Sequence, residues 1–324
     1  MRKLFLAVVA LIICAGALAQ VPRAEYPRPQ MERAEWVNLN GEWTYTLDLV
    51  KTGWERNLMQ SKGFDDKIIV PFAPESKLSG VEHKEFIPCI WYQRDITIPA
   101  AWSGKDVVLN FGAVYYESEI YVDGQFVDRH FGGSDSFSVD ITKFVEPGKT
   151  HSLVVSASSD LRSGRQSAGK QSLRHGSFEC MYTRTTGIWQ TVWMETVPET
   201  HVESYGCATD IDKGEVRFNF DIAGSEPDED VEITVYDDGR KIASAEGDGD
   251  RMVTVKMPDG FKLWSPESPH LYTFNVKCGA DSFSGYFGMR KIEKRKDAKG
   301  FLRFFLNNKP RFLMGTLDQG WWPD

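Results

Sequence analysis

Cysteine, basic charge and long apolar runs are all scarce in this chain, and each shortage closes a class of function. Five cysteines occur in 324 residues and no two form a Cys-x-x-Cys pair, so the common zinc-binding spacings are absent. Cys14 lies in the leader; Cys89, Cys180, Cys207 and Cys278 are widely spaced, and sequence assigns them no disulfide pairing. Lysine and arginine number 38 against 46 aspartates and glutamates, a net charge of −8. A nucleic-acid partner calls for a basic face, and this balance argues against one. There is no His-Glu-x-x-His, no phosphate-binding loop and no Gly-x-Ser-x-Gly, so no metal or cofactor is expected. Asp228-Glu229-Asp230 and Asp248-Gly249-Asp250 lack the ligand set that calcium needs and read as solvated turns. After residue 19 no apolar run approaches the roughly 20 residues of a membrane span. No later segment carries an apolar stripe at helical period for more than about two turns, which leaves little room for helices.

What the first residues do contain reads as an export signal. Arg2 and Lys3 precede an apolar stretch over residues 4–18, and Ala17-Leu18-Ala19 places small residues where a signal peptidase reads. Cleavage before Gln20, and a periplasmic or secreted location, are expected. A lipid anchor on Cys14 is disfavoured by the bulky Ile13 before it. The 324 residues less the 19 of the leader leave 305, enough for two domains with separate cores.

The patterned segments read as strands. Residues 107–111 form a buried-type run. Ile120-Tyr121-Val122 turns at Asp123-Gly124 into Gln125-Phe126-Val127, and residues 233–236 repeat the device at Asp238-Gly239. Strands so short and so numerous predict an all-β protein of sandwiches. A boundary is expected at Val197-Pro198-Glu199, giving a leader (1–19), a linker (20–33), a large sandwich (34–198) and one of immunoglobulin-like size (199–290). Residues 291–324 are expected to hold a charged, aperiodic linker, a hairpin at Asn307-Asn308 and one apolar strand over 311–317. Between Ile188 and Met194 both faces of the chain are apolar, which suits a sandwich core on one side and a neighbouring domain on the other. Residues 158–177 are rich in Ser, Gly and basic side chains and read as a long, mainly solvent-exposed loop.

Several pieces, taken in order, resemble glycoside hydrolase family 2, the family of β-galactosidases, β-glucuronidases and β-mannosidases. They are Leu39-Asn40-Gly41-Glu42-Trp43, residues 90–99, residues 109–137 with Val122-Asp123-Gly124 and His130-Phe131-Gly132-Gly133, and residues 186–192. Leu263-Trp264-Ser265-Pro266, His270-Leu271-Tyr272, Phe287-Gly288-Met289-Arg290 and residues 305–315 follow. The resemblance implies a jelly-roll domain often labelled sugar-binding, then an immunoglobulin-like sandwich, then a (β/α)8 barrel. Retaining hydrolysis needs two carboxyl groups about 5–5.5 Å apart, and in this family they are glutamates on later barrel strands. The resemblance therefore implies that the chain carries no catalytic residue and only the start of a truncated barrel, and it is expected to be inactive alone. Substrate in the complete protein is expected to be a β-linked oligosaccharide or glycoside, and a homo-oligomer is compatible with the sequence. A free-standing carbohydrate-binding protein and a β-sandwich surface protein are the alternatives.

Substrate-binding candidates follow from position. Asp318, Gln319, Trp321 and Trp322 come after the expected barrel strand, at the end where barrel active sites sit. Aromatic faces beside a carboxylate suit a sugar, since rings take C–H groups and the acid takes hydroxyls. Arg184, in the stretch leading to Gly187-Ile188-Trp189, is the remaining candidate. Family members often place an aspartate six residues before that glycine, where this chain has Met181; they place Asn and His where Leu317 and Gln319 stand. His130 and the glycines after it read as structural.

Overall fold

The computed structural model describes residues 21–224 and 229–319. The expected leader over 1–19, Asp228, Trp321 and Trp322 lie outside them. Among the described residues every helical element is a three-residue 3-10 turn, and the rest of the regular structure is strand.

The first sandwich has a four-stranded sheet in the order Trp36–Asn38, Val192–Val197, Asp106–Phe111, Phe137–Asp140. It faces a six-stranded sheet in the order Asp66–Val70, Gly41–Leu47, Cys89–Thr97, Thr150–Ser158, Glu117–Val122, Gln125–Phe131. Period-two alternation builds the core between them: Leu109 and Phe111, Val192 and Met194 from one sheet meet Tyr92, Ile120, Val122, Leu153 and Val155 from the other. At about 1.5–3 kcal/mol for each large apolar side chain removed from water, this face is the main stabilising term of the domain.

The six-stranded sheet is buried on its other face as well. Cys89, Trp91, Tyr121 and Val154 point away from the main core and are covered by Trp54, Leu58, Met59 and Phe64. Asp48 anchors this cover, its carboxylate accepting from Thr52 N (3.0 Å), Gly53 N (2.7 Å) and Trp91 Nε1 (3.3 Å). A β-carbon on Gly53 would lie 2.2 Å from the Trp91 indole, so only glycine lets the cover close.

The Leu39–Trp43 motif locks the first strand to the last. Asn40 donates to Pro22 O and Thr191 Oγ1 and accepts from Val192 N, while Arg94 donates to Leu39 O (2.8 Å) and Asn40 O (3.0 Å). Asp123-Gly124 and Asp238-Gly239 close two-residue hairpins with all four φ values positive, from 47° to 77°, as the right-handed twist of the flanking strands requires.

The second sandwich packs His201–Asp210, Glu215–Ala223 and Val253–Lys256 against Arg240–Asp248, Asp230–Asp237, Tyr272–Cys278 and Asp281–Phe287. Along Tyr272–Cys278 the residues alternate strictly between buried and exposed, so Tyr272, Phe274, Val276 and Cys278 face the core.

Residues 21–33 bind the sandwiches together. Met31 is buried in the second core, and Glu32 bridges to Ser284. Tyr26 donates to Glu195 (2.6 Å), and Arg28 pairs with the same carboxylate (2.7 Å). Burial and the Glu195 charge push the Tyr26 hydroxyl up to about 12. Arg33 donates twice to Asp281 (2.9 and 2.8 Å) and once to Val202 O (2.7 Å). Through Glu195 this segment meets the second face of the Val192–Val197 strand.

Three readings of the chain differ from the structure. Residues 292–296, charged and aperiodic in sequence, form the strand Ile292–Lys296, which pairs with Leu302–Leu306; the latter turns at Asn307-Asn308 into Lys309–Pro310. An edge strand with water on both sides needs no apolar alternation, and so leaves no periodic signal. Residues 311–317, expected as strand, have no regular secondary structure, and Phe312, Leu313, Met314 and Leu317 are exposed. A strand exists only through pairing, and beyond the single bond from Arg311 N to Phe304 O (2.8 Å) no strand among the described residues pairs with this segment. The loop over 158–177 is only partly solvent-exposed: Leu161, Gln171 and Ser172 are buried, held by parallel pairing of Gln171 with Tyr182. All four cysteines from Cys89 to Cys278 are free.

Candidate functional site

Three loops converge at one end of the first sandwich: 71–88, the turn after Gly41–Leu47, and 159–186. Their meeting point is a cleft of about 360 Å³. Glu75 lies behind its wall, wholly buried, and accepts from Thr186 N (3.1 Å) and Thr186 Oγ1 (2.5 Å). Burial is the dominant influence on Glu75 and raises its carboxyl from the ordinary 4.5 to about 7; the Thr186 hydrogen bonds and the Arg184 charge oppose the rise.

Arg184 forms the floor. Its guanidinium donates to the backbone carbonyls of Ser172 (3.3 Å), Arg174, Lys84 and His175 (3.3 Å), and it lies 4.1 Å from the centroid of the Phe86 ring. Four N–H groups are thereby committed to backbone carbonyls of two loops, so Arg184 ties 172–175 to 84 and shapes the cleft. Burial lowers its pKa. Met181, at the position where family members carry aspartate, is half-buried in the Phe178–Met181 turn of the same loop.

Gly187 and Trp189 fasten the loop to the sandwich. Gly187 has φ +70°, and a β-carbon there would stand 2.1 Å from Tyr92 Oη; Trp189 Nε1 donates to Gly133 O at 2.8 Å. The Gly132-Gly133 pair is structural for the same reason, since a β-carbon on Gly133 would meet the Tyr115 ring at 2.0 Å. His130 stacks on Phe137 at 4.0 Å.

Asp318 and Gln319 lie exposed in the irregular segment 311–319, on a different element from Arg184. Sequence reading missed Glu75, Phe86 and Lys51. None has a periodic or motif signal; an acid beside Pro74 became informative only when folding placed it under Thr186. Among the described residues no group of His, Cys, Asp and Glu is arranged to hold a metal ion, and no helix is long and apolar enough to cross a membrane.

A jelly-roll sandwich joined to an immunoglobulin-like one, with a loop-walled cleft at the end of the first, defines a tandem β-sandwich module. Residues 36–167 match the sugar binding domain of glycosyl hydrolases family 2, and residues 200–290 match a second domain of that family. The chain belongs to glycoside hydrolase family 2 and corresponds to the N-terminal part of its members. It is 25% identical over 326 aligned positions to the β-glucuronidase of Felis catus, covering 90% of this chain and 49% of that protein. A β-galactosidase of Thermoanaerobacter pseudethanolicus is 27% identical over 240 positions, 69% of this chain and 31% of the relative. The solved β-glucuronidase of Ruminococcus gnavus in complex with D-glucuronic acid superposes with a TM-score of 0.71 at 20% identity, over 90% of this chain and 51% of that one. The chain thus spans about half the length of such relatives, or less.

Proposed function

We propose that this chain is the non-catalytic N-terminal portion of an exported, exo-acting β-glycosidase that hydrolyses O-glycosidic bonds. The observation that carries the reading is the coverage: nine-tenths of this chain aligns with half of a β-glucuronidase, through both family domains in order. The leader pattern over 1–19 supports export. In this reading the acid/base and nucleophile lie outside the chain, Asp318, Gln319, Trp321 and Trp322 face the sugar at the barrel mouth, and Arg184 acts indirectly by holding the cleft loop.

The purified chain is expected to hydrolyse no p-nitrophenyl β-glucuronide, β-galactoside or β-mannoside above a preparation from an inactive host. Turnover that survives repurification overturns the placement of catalysis outside this chain. A product of the same reading frame extended past Asp324 is expected to turn over at least one of the three. An extended product that turns over none, or a natural stop at that point, favours a carbohydrate-binding protein instead.

A further inference from the structure

The cleft of the first sandwich gathers positive charge in a chain whose net charge is −8. Lys51 enters it from the turn after Gly41–Leu47, and Arg162 from the 3-10 turn Leu161–Ser163. Unlike Arg184, these two have their donors open. Arg162 lies 4.1 Å from the centroid of the Phe86 ring, so the ring face fixes its guanidinium without using an N–H group. Neither Arg162 nor Lys51 enters an ion pair or a side-chain hydrogen bond among the described residues.

Asp160 is the one carboxylate in the lining. Beside it Ser159 Oγ accepts from Gln166 (3.1 Å) and keeps its own hydrogen for donation. Phe86, Ile87 and Pro88 supply an apolar wall. A volume of about 360 Å³ is at the small end of ligand sites, which run from roughly 300 to 1,000 Å³.

These groups discriminate between ligand classes. A neutral sugar leaves two cations unmatched, while a bare inorganic anion brings its charge against Asp160 and leaves the apolar wall uncovered. A sugar acid answers all three: its carboxylate meets the planar fork of Arg162 and the ammonium of Lys51, its hydroxyls meet Asp160 and Ser159, and its C–H face lies on the wall. We propose that this cleft binds a carboxylate-bearing sugar unit of a β-linked oligosaccharide. The carbohydrate nature of the ligand rests on the function proposed above; the site itself contains no catalytic step.

The test is calorimetric titration of the chain with cellobiouronic acid and with cellobiose at one fixed ionic strength. The acid is expected to bind about tenfold more tightly than cellobiose, as a site built around a polar group rejects the analogue that lacks it. R162Q and K51Q are each expected to weaken the acid about fivefold or more and to leave cellobiose unchanged, since one cation–carboxylate contact is lost in each. Both side chains are exposed, so melting temperatures should match the unsubstituted chain. Equal binding of the two disaccharides, or R162Q binding the acid as the unsubstituted chain does, overturns the proposal. Displacement of the acid by sodium sulfate at equal concentration also overturns it, by showing a general anion site. Because no turnover is read, loss of binding and loss of hydrolysis are separate results.

Discussion

Replacing Arg33 with methionine is expected to lower the unfolding free energy by about 3–5 kcal/mol, the loss typical when one partner of a buried ion pair is removed. Arg33 is 5% exposed, and the loss of its guanidinium strands Asp281, 3% exposed, without a counter-charge. It also removes the donor to Val202 O, leaving a buried carbonyl short of a bond. Glu195 keeps Tyr26 and Arg28, so the damage is centred on Asp281. R33M/D281N should therefore recover a large part of the loss, because an amide still accepts from Val202 N, now 3.0 Å from Asp281 Oδ2, and carries no charge. Urea denaturation of both variants checks this. A loss below about 1 kcal/mol in R33M would mean that the segment 21–33 closes the seam between sandwiches without help from this pair.

Raising the pH from 4.5 to above 7 is expected to remove about 3 kcal/mol of stability through Glu75 alone. The folded-state carboxyl titrates near 7 against an ordinary 4.5, so the folded protein keeps a proton that the unfolded chain releases. The contribution is fully present below pH 4.5 and is lost as the pH climbs through about 7; above that, the folded state holds a buried charge. Glu75→Gln keeps the shape and an acceptor for Thr186 N but cannot ionise. Denaturation midpoints of E75Q should fall less than those of the unsubstituted chain across this window. Parallel curves for the two proteins would show that Glu75 is ionised throughout, compensated by Arg184.

The strands were legible because water marks them. Residues 107–111, 120–122 and 233–236 are largely apolar runs, and at Asp123-Gly124 and Asp238-Gly239 the residue pairs that tolerate positive φ announce the turn. Ile292–Lys296 was illegible because an exposed edge strand imposes no such pattern. The segment 311–317 misled in the opposite direction: it is apolar enough for a strand, yet pairing, which sequence alone does not carry, is what makes one. In the cleft, Arg184 was visible from its place before Gly187-Ile188-Trp189. Its four carbonyl partners were not, since they come from residues as far away as Lys84.

The sequence by itself determined the all-β class, the two sandwiches, the hairpins and the family, because each of these follows from local alternation, turn chemistry or short motifs in order. Tertiary structure alone decided that residues 21–33 join the two cores, that Glu75 lies dry beneath Thr186, and that Lys51, Phe86, Asp160 and Arg162 share one cleft. The physical reason is the separation along the chain. Burial, counter-charge and desolvation act on whatever the fold brings within a few ångströms, and from Lys51 to Arg184 the cleft gathers loops that no local pattern connects.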